Sequence, residues 1–387
     1  MIFKIPKDEL IRRKAFYTAN EINQQPETFL KTIEQIKREK DFLRKFIVSV
    51  TKKDDFRIIL TGAGTSEFIG NTLEIMLNNK YHGKVRSVAT TDIVTSCDCY
   101  IEKDMPTLIV SFARSGNSPE SVGTVELSSR VNPEIKHLYI TCNKEGALAR
   151  DALNNENSYA LVLTEETHDK SFAMTSSFTN MCLACLLAFN LDNLDKNIES
   201  AQKIINPLEK FLSKEYVQIK NIVEDFDFER IVYLGANAFK GMAQESALKM
   251  LELTAGNIVT MFDTPLGFRH GPKSIINPKT LIVVYLSDDE YARKYELDLL
   301  HEMSSQRDGN RILCVSSSRN EEIEKLVDYY YSFDNEKKLD YVFLALEYVH
   351  IAQTLAFFKS LSLGLTPDNP FPSGTVNRVV KGVKIYK

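Results

Sequence analysis

The segment RIILTGAGTS, from Arg57 to Ser66, passes directly from a run of apolar, mostly β-branched residues into a glycine-rich loop. Such a run is typical of a buried strand, and a loop of this kind commonly joins a strand to the helix that follows it. A second segment of the same type, RIVYLG, runs from Arg230 to Gly235, 173 positions further along the chain. The two segments indicate two α/β halves built on one plan.

The same shift of 173 positions relates two further strand-like segments. It carries Leu108–Val110 onto Leu281–Val283, and Leu138–Ile140 onto Arg311–Leu313. Three segments that keep one spacing predict a tandem duplication. Because short β-branched runs alternate with longer helical stretches, each copy is predicted to be a three-layer αβα domain with a parallel sheet.

The predicted organisation has three parts. Apolar positions at helical spacing, such as Phe29 and Ile33, predict an N-terminal helical segment over residues 1–49. The first α/β domain is placed at residues 50–205, and the second, with a C-terminal tail rich in proline and glycine, at residues 225–387. A helical stretch around Leu208 to Ile222 is predicted to join the two domains.

The composition excludes several classes of protein. Of 387 residues, 43% are hydrophobic and 26% are charged, and the net charge of −4 offers no basic field for nucleic acid. We expect Met181–Phe189 to be the most apolar stretch, and it is shorter than the roughly 20 residues that a membrane-spanning helix needs. The N-terminus, MIFKIPKDELIRRK, lacks the apolar core of a secretory signal. We therefore expect a cytoplasmic protein with no nucleic-acid or membrane partner.

The cysteines and histidines do not predict a metal site. The six cysteines lie mostly in apolar segments, as expected for reduced core residues. Cys182 and Cys185 have the spacing of zinc and redox sites, but with no second pair they are better interpreted as residues of a half-buried helix. The histidines are scattered along the chain. No metal or other cofactor is predicted.

Two loops of the first copy could hold a phosphate group. In open parallel sheets, ligands bind where strands end and helices begin. Glycine lets the backbone approach an anion, while hydroxyls and helix N-terminal N–H groups donate hydrogen bonds to it. One loop follows the strand that begins at Arg57 and the other follows Phe112. Their candidate binding residues are Gly64, Thr65 and Ser66 in the first loop and Ser115, Asn117 and Ser118 in the second.

Other interpretations of these loops remain open. Serines at helix starts most commonly cap the helix, although two such loops at neighbouring strand ends favour a phosphate site. A dinucleotide site at Gly62-x-Gly64 is weakly supported, because Glu67 stands where the third glycine belongs. In the second copy, the 173-residue shift places Asp288–Tyr291 at the positions of Ser115–Ser118. Carboxylates there would repel a phosphate, so one phosphate site is predicted, in the first copy.

The second copy carries the candidate catalytic residues. Lys249 and Glu252 are three residues apart on one predicted helix, with Glu245 one turn earlier. A carboxylate beside an ammonium can act as a positioned base, although such residues more often form a solvated ladder of ion pairs. His270 lies in a glycine–proline turn, from which a side chain can project into a cleft. Lys381 follows a proline-rich turn, and its alternative is an ordinary surface lysine.

These motifs resemble the tandem sugar isomerase (SIS) fold, from about residue 50 to the end of the chain. The isomerase half of glucosamine-6-phosphate synthase has this fold. More narrowly, SFARSGNSPES from Ser111 to Ser121 and NPFPSGTVNRVVKGV from Asn369 to Val383 are similar to the AgaS-type subfamily. Its members are known as galactosamine-6-phosphate deaminase/isomerases, or as tagatose-6-phosphate ketose/aldose isomerases.

The resemblance implies a role for each candidate residue. Ser115 and Ser118 match phosphate-binding hydroxyls, and Thr65 and Ser66 match the loop that lines the sugar. Glu252 matches the carboxylate that moves the proton between C1 and C2. His270 matches a histidine that a neighbouring subunit contributes and that is implicated in opening the sugar ring. Lys249 and Lys381 match two lysines that face the reactive end of the sugar.

The chain also departs from the synthase. Ala113 and Arg114 stand where the synthase has a serine and a glutamine, and Arg114 is expected to compensate by its charge, as a further substrate-binding residue. No counterpart of the synthase's glutamine-hydrolysing domain is expected among these residues, so we do not expect the chain to make amino sugars from glutamine.

The predicted activity is deamination and isomerisation of galactosamine 6-phosphate to tagatose 6-phosphate and ammonia, in the breakdown of amino sugars. The expected partners are a phosphorylated hexose or hexosamine bound between the two α/β halves, and further copies of the chain in a homodimer or higher homo-oligomer. A plain aldose–ketose isomerase shares the first chemical steps. A sugar-phosphate sensor without activity, and a degenerate domain with a structural role, are the alternatives from other classes.

Overall fold

The computed structural model describes residues 1–380 and 382–386 of the chain. Its strands form two five-stranded sheets, and every strand pair in them is parallel. The first sheet has the order β2-β1-β3-β4-β5 and the second has the order β7-β6-β8-β9-β10. The two orders are identical when the second set is renumbered from β6 as the first strand, so the predicted fold class of two tandem αβα domains with parallel sheets is confirmed.

The strands of the two sheets are short and their bounds are as follows: β1 Arg57–Thr61, β2 Val85–Ser87, β3 Thr107–Ala113, β4 Lys136–Thr141, β5 Ser158–Val162, β6 Arg230–Leu234, β7 Val259–Asp263, β8 Thr280–Tyr285, β9 Arg311–Ser316 and β10 Tyr329–Ser332. The central strands β3 and β8 are buried along their whole length. This burial explains their continuous apolar sequences, since both faces of a central parallel strand are covered by helices.

Helices precede, connect and follow the strands: α1 Lys7–Arg12, α2 Phe16–Asn23, α3 Gln25–Thr51, α4 Thr65–Lys80, α5 Thr90–Thr95, α6 Cys97–Tyr100, α7 Pro119–Val131, α8 Ala147–Asn154, α9 Ser176–Ala188, α10 Leu194–Lys203, α11 Ile205–Lys210, α12 Tyr216–Asp225, α13 Ala238–Leu253, α14 Pro265–Phe268, α15 Glu290–Ser305, α16 Glu321–Glu324 and α17 Tyr341–Ser362. Short 3-10 turns lie at Glu165–Thr167, Leu191–Asn193 and Pro272–Ile275, and a π turn at Phe211–Glu215.

The chain divides into two compact units. The first unit holds the first sheet and comprises Glu27–Lys170, Met174–Ile198 and Ser373–Lys387. The second unit holds the second sheet and comprises Met1–Pro26, Ser171–Ala173 and Glu199–Pro372. These units differ from the segments drawn from sequence: the N-terminal helices are shared between both units, and the C-terminal tail belongs to the first unit.

The repeat spacing is not constant along the fold. Arg57 and Arg230 are equivalent first residues of β1 and β6, which fits the shift of 173. The next strands show a different spacing. Leu108 of β3 lies opposite Lys136 of β4, and the equivalent Leu281 of β8 lies opposite Arg311 of β9. Lys136 is therefore the equivalent of Arg311, a shift of 175, and the alignment of Leu138–Ile140 with Arg311–Leu313 was wrong by two residues.

Helix α17 forms the core of the second unit, where it packs against α12 and α13. Among the described residues it is the one helix long and apolar enough to cross a membrane by length and composition, yet 94% of the relevant window is buried inside the protein. The sequence favours Met181–Phe189 as the most apolar stretch, because Glu347, His350 and Gln353 interrupt the apolar run of α17. In the second unit these polar groups are partly satisfied, since Gln353 Oε1 accepts a hydrogen bond from Gln25 at 2.7 Å.

Candidate active site

The loop Arg114–Ser118 begins where β3 ends and leads into α7. Neighbouring residues hold its backbone and its amide side chain. Asn143 Nδ2 donates to the carbonyl of Ser115 at 2.8 Å, and the N–H of Ala147 donates to Asn117 Oδ1 at 2.9 Å. Gly146 approaches so closely that a Cβ atom there would lie 2.6 Å from the Ser115 carbonyl oxygen. The loop is thus fixed in shape by the loop that follows β4.

The two serines of this loop have different local roles. Ser118 is the N-cap of α7: its Oγ accepts from the N–H of Ser121 at 3.2 Å and donates to Ser121 Oγ at 2.7 Å, with Pro119 at the first helical position. Ser115 lies outside the helix, and its Oγ accepts from the N–H of Asn117 at 3.3 Å. The capping interpretation therefore holds for Ser118 and not for Ser115.

The glycine-rich loop lies beside this one, because β1 pairs directly with β3. Gly64 precedes α4 with φ 56° and ψ −127°, a conformation that favours glycine, and Thr65 and Ser66 are the buried first residues of that helix. Two helix N-termini, those of α4 and α7, thus begin at adjacent strand ends. The N–H groups of such termini favour an anionic ligand. The first unit brings together all the predicted substrate-binding residues.

The side chain of Arg114 makes a contact that the sequence did not suggest. It is 7% exposed, and its Nη2 donates to the backbone carbonyl of Arg378 at 2.8 Å. The guanidinium of Arg378 donates in turn to the carbonyl of Asp169. Burial lowers the pKa of His168, and the charges of Arg378 and Arg114 lower it further. The two guanidiniums therefore create a positive potential around His168, while at least one donor of Arg114 is bound to the tail.

In the second unit, α13 carries three charged residues on one face. Lys249 Nζ lies 2.5 Å from Glu252 Oε2 and 3.3 Å from Glu245 Oε1. The side chains of Lys249 and Glu245 are fully buried, whereas that of Glu252 is 24% exposed. The alternative of a solvated ion-pair ladder is therefore wrong. A buried ammonium between two carboxylates is costly to desolvate, which is typical of functional sites, and Glu252 is the carboxylate that a substrate can reach.

His270 lies in the turn between α14 and the 3-10 turn at Pro272–Ile275. Its N–H donates to the carbonyl of Gly267 at 2.9 Å, and its side chain is exposed. Gly271, with φ 113°, lets the chain reverse immediately after it. Because its side chain is exposed and its turn is held by a hydrogen bond, His270 can contact a ligand that lies outside the helices around it. The fourth catalytic candidate, Lys381, lies outside the described residues.

The second unit repeats the backbone of the glycine-rich loop without its glycine. Asn237, at the position equivalent to Gly64, has φ 53° and ψ −127° and precedes α13 as Gly64 precedes α4. A side chain in this conformation is strained, which is a common feature of functional loops. Asn237 carried no prediction, although the 173-residue shift leads to it from Gly64. No motif marks Asp169, and Arg378 lies in the tail motif without a predicted role of its own.

The acidic loop of the second unit is shorter than the constant shift implied. Asp289 is the N-cap of α15, where its carboxylate accepts from the N–H groups of Tyr291 and Ala292 at 2.9 and 2.8 Å. Asp289, and not Tyr291, is therefore the equivalent of Ser118. Asp288 lies 3.3 Å from Arg293. In this unit, the carboxylate of Asp289 therefore occupies the N-cap position where the first unit has the hydroxyl of Ser118.

Comparison with known proteins agrees with this architecture. The family model described as the SIS domain matches residues 51–191. D-galactosamine-6-phosphate deaminase AgaS of Escherichia coli is 40% identical over 375 residues, which are 96% of this chain and 95% of that protein. A solved structure from Clostridium novyi NT, described as a candidate tagatose-6-phosphate ketose/aldose isomerase, is 47% identical, with a TM-score of 0.98 over 100% of this chain and 99% of its own.

A second solved structure, tagatose-6-phosphate ketose/aldose isomerase from Escherichia coli, is 37% identical, with a TM-score of 0.88 and 96% of each chain covered. The paired parallel sheets and the loops at their strand ends define the class as tandem SIS-domain proteins. Within that class, the chain belongs to the AgaS family.

Proposed function

We propose that this protein is a galactosamine-6-phosphate deaminase/isomerase that produces tagatose 6-phosphate and ammonia. The observation that carries the proposal is the buried Lys249 held 2.5 Å from the accessible carboxylate of Glu252. Relatives at about 40% identity over nearly the whole chain are named D-galactosamine-6-phosphate deaminases, which supports the choice of substrate. The protein is proposed to act in the cytoplasm, as a homo-oligomer.

The substrate is anchored by its phosphate at the loops of the first unit. Ser115 donates its hydroxyl hydrogen to a phosphate oxygen, and Ser118 does so when its hydroxyl turns from Ser121 Oγ to the ligand. The N-termini of α4 and α7 favour the charge of the phosphate. Gly64, Thr65, Ser66 and Asn117 complete the surroundings of the sugar. The acidic loop of the second unit cannot offer an equivalent site, so each chain holds one phosphate.

The reaction is a proton transfer followed by hydrolysis. His270 assists ring opening, which exposes the aldehyde at C1. Glu252 removes the proton from C2, and the ammonium of Lys249 or Lys381 stabilises the negative charge that develops on O1. Return of the proton to C1 leaves an imine at C2. Water adds to this imine, and the C2–N bond breaks to release ammonia and leave the ketose.

A plain aldose–ketose isomerase is the second candidate, because similar solved structures are described as tagatose-6-phosphate ketose/aldose isomerases. With oxygen in place of nitrogen at C2, the same proton transfer gives a ketose directly, and nothing is hydrolysed. The two activities therefore use the same residues and differ in the substrate that the site accepts.

Glu252→Gln tests the mechanism, because the amide keeps the shape of the side chain and cannot accept the C2 proton. We expect turnover to fall by about 10²–10⁴-fold while substrate affinity changes little. Steady-state kinetics and calorimetric binding would be compared with Glu209→Gln, an exposed carboxylate on α11, as the matched control. A folded Glu252→Gln protein with normal turnover would exclude Glu252 as the base.

A further inference from the structure

Arg114 joins two parts of the first unit that are far apart in sequence. It directly follows β3 and directly precedes Ser115. Its Nη2 donates at 2.8 Å to the backbone carbonyl of Arg378, which is 264 residues later in the sequence. A buried guanidinium that donates to a main-chain carbonyl fixes the position of that backbone. Arg114 therefore attaches the C-terminal tail to the start of the loop Arg114–Ser118.

Arg378 is itself anchored to a rigid point. Its guanidinium donates to the carbonyl of Asp169, which is fully buried. The carboxylate of Asp169 accepts from the N–H groups of Thr175, Ser176 and Ser177 at 2.8, 3.2 and 2.9 Å, at the start of α9. Because α9 is buried along its whole length, the position of Asp169 is set by the core of the unit. The tail is therefore held at Arg378 from two directions.

A further contact attaches the tail beyond this point. Ile385 packs over Gly123 of α7 so closely that a Cβ atom at Gly123 would lie 3.0 Å from its side chain. Helix α7 is the helix that Ser118 caps, so this attachment lies on the element that ends the phosphate loop. In the sequence, Lys381 stands between Arg378 and Ile385. Arg378, on one side of it in the sequence, thus contacts the residue that follows β3, and Ile385, on the other side, contacts α7.

We propose that Arg114 is a positioning residue that holds the described part of the C-terminal tail in place for the reaction, and that it is not a phosphate ligand. The proposal rests on the proposed function in one respect, namely that Lys381 acts on the substrate. A planar guanidinium can satisfy a carbonyl in a fixed direction, which a lysine ammonium does not reproduce. The role of Arg114 is therefore geometric, and its charge alone cannot replace it.

The kinetic test compares Arg114→Met and Arg114→Lys with Arg130→Met, an exposed arginine on α7 that serves as the control. We expect both Arg114 variants to lose about 10- to 100-fold in kcat, since misplacement of a catalytic group has costs of this order. The KM and the inhibition constant for inorganic phosphate should stay within about twofold of the wild type. A phosphate ligand would behave differently: Arg114→Met would weaken phosphate inhibition strongly, and Arg114→Lys would largely retain it.

Two further measurements separate this role from general damage. If Arg114 acts through Lys381, the double variant Arg114→Met/Lys381→Met should be no slower than Lys381→Met alone. Hydrogen–deuterium exchange of peptides from residues 373–387 should rise in Arg114→Met without any substrate, and stay unchanged in Arg130→Met. Unchanged exchange in Arg114→Met, or an additive loss in the double variant, overturns the proposal. If the wild type converts no sugar phosphate, the proposed function fails, while the exchange result still decides whether Arg114 holds the tail.

Discussion

Among the candidate catalytic residues that the structure describes, Lys249 has the most demanding environment. A fully buried ammonium remains charged only where carboxylates compensate for its lost hydration, and Glu245 and Glu252 lie within 3.3 and 2.5 Å of it. The contact with Lys249 holds the Glu252 carboxylate in one orientation. A fixed orientation is what a base needs if it is to remove a proton from a sugar carbon.

Ser115 and Ser118, in the loop Arg114–Ser118 that is proposed to bind phosphate, give a prediction that separates ligand binding from folding. Ser115→Ala and Ser118→Ala should each weaken binding of inorganic phosphate and of sugar phosphate by roughly 1.5–3 kcal/mol, because each loses a hydrogen bond to a charged group. Only Ser118→Ala should also lower the free energy of unfolding, by about 1 kcal/mol, because Ser118 caps α7. Titration calorimetry and urea unfolding measure the two effects. Unchanged phosphate affinity in both variants would show that phosphate binds elsewhere.

At the scale of elements, Glu296 of α15 makes the second unit sensitive to pH. It is buried, and its Oε2 accepts from the N–H and the hydroxyl of Ser287 at 3.0 and 3.2 Å. Burial raises the pKa of Glu296 from 4.5 to about 7, and nearby Asp289 raises it slightly, against the effects of the Ser287 hydrogen bonds and of Arg293. In the folded protein this carboxyl therefore keeps its proton at pH values where it has lost it in the unfolded chain.

The sign of the effect follows from that difference. The stability linked to Glu296 is complete below pH 4.5, the unfolded value, and is lost as the pH rises to about 7. Glu296→Gln resembles the protonated form, so it should match the wild type near pH 4 and exceed it at pH 8 by up to about 3 kcal/mol. Urea unfolding at pH 4, 6 and 8 checks this, with exposed Asp298→Asn on the same helix as control. Equal stabilities at pH 8 would contradict the assignment.

The sequence allowed the elements to be predicted better than their register. The strands β1, β3, β6 and β8 follow from continuous apolar runs, since a buried parallel strand tolerates little else. The shift of 173 then failed at β9 and at the N-cap of α15, because loop lengths changed independently in the two copies. Helix α17 was missed because its buried polar residues find partners only in the folded unit.

Individual site residues show the same limit. The glycine-rich and serine-rich loops stand out in the sequence because each directly follows a continuous apolar run. The burial of Lys249 could not be read from its neighbours in sequence, since an (i, i+3) pair of this kind is usually solvated. The partner of Arg114 lies 264 residues away, and no local pattern encodes such a contact.

At the scale of the whole molecule, the exposed His270 predicts a shared active site. If His270 acts on the substrate of a neighbouring subunit, His270→Ala and Glu252→Gln damage different parts of a site built from two chains. Mixing the two inactive proteins under conditions of subunit exchange should then restore about a quarter of wild-type activity, since about half of the dimers are hybrids with one intact site. Co-purification of the two variants carrying different affinity tags would confirm the exchange. Exchanged but inactive hybrids would place His270 in its own subunit's site.

The stoichiometry of the products tests the central claim most directly. Galactosamine 6-phosphate would be incubated with the purified protein, and ammonia and tagatose 6-phosphate would be measured in the same samples over time. We predict that the two appear together, about one ammonia for each tagatose 6-phosphate, because hydrolysis of the C2 imine releases both. Conversion of a hexose 6-phosphate to its ketose, with no ammonia from any amino sugar phosphate, would instead establish a plain isomerase. Tight binding of sugar phosphates without any product would contradict the account and indicate a sensor.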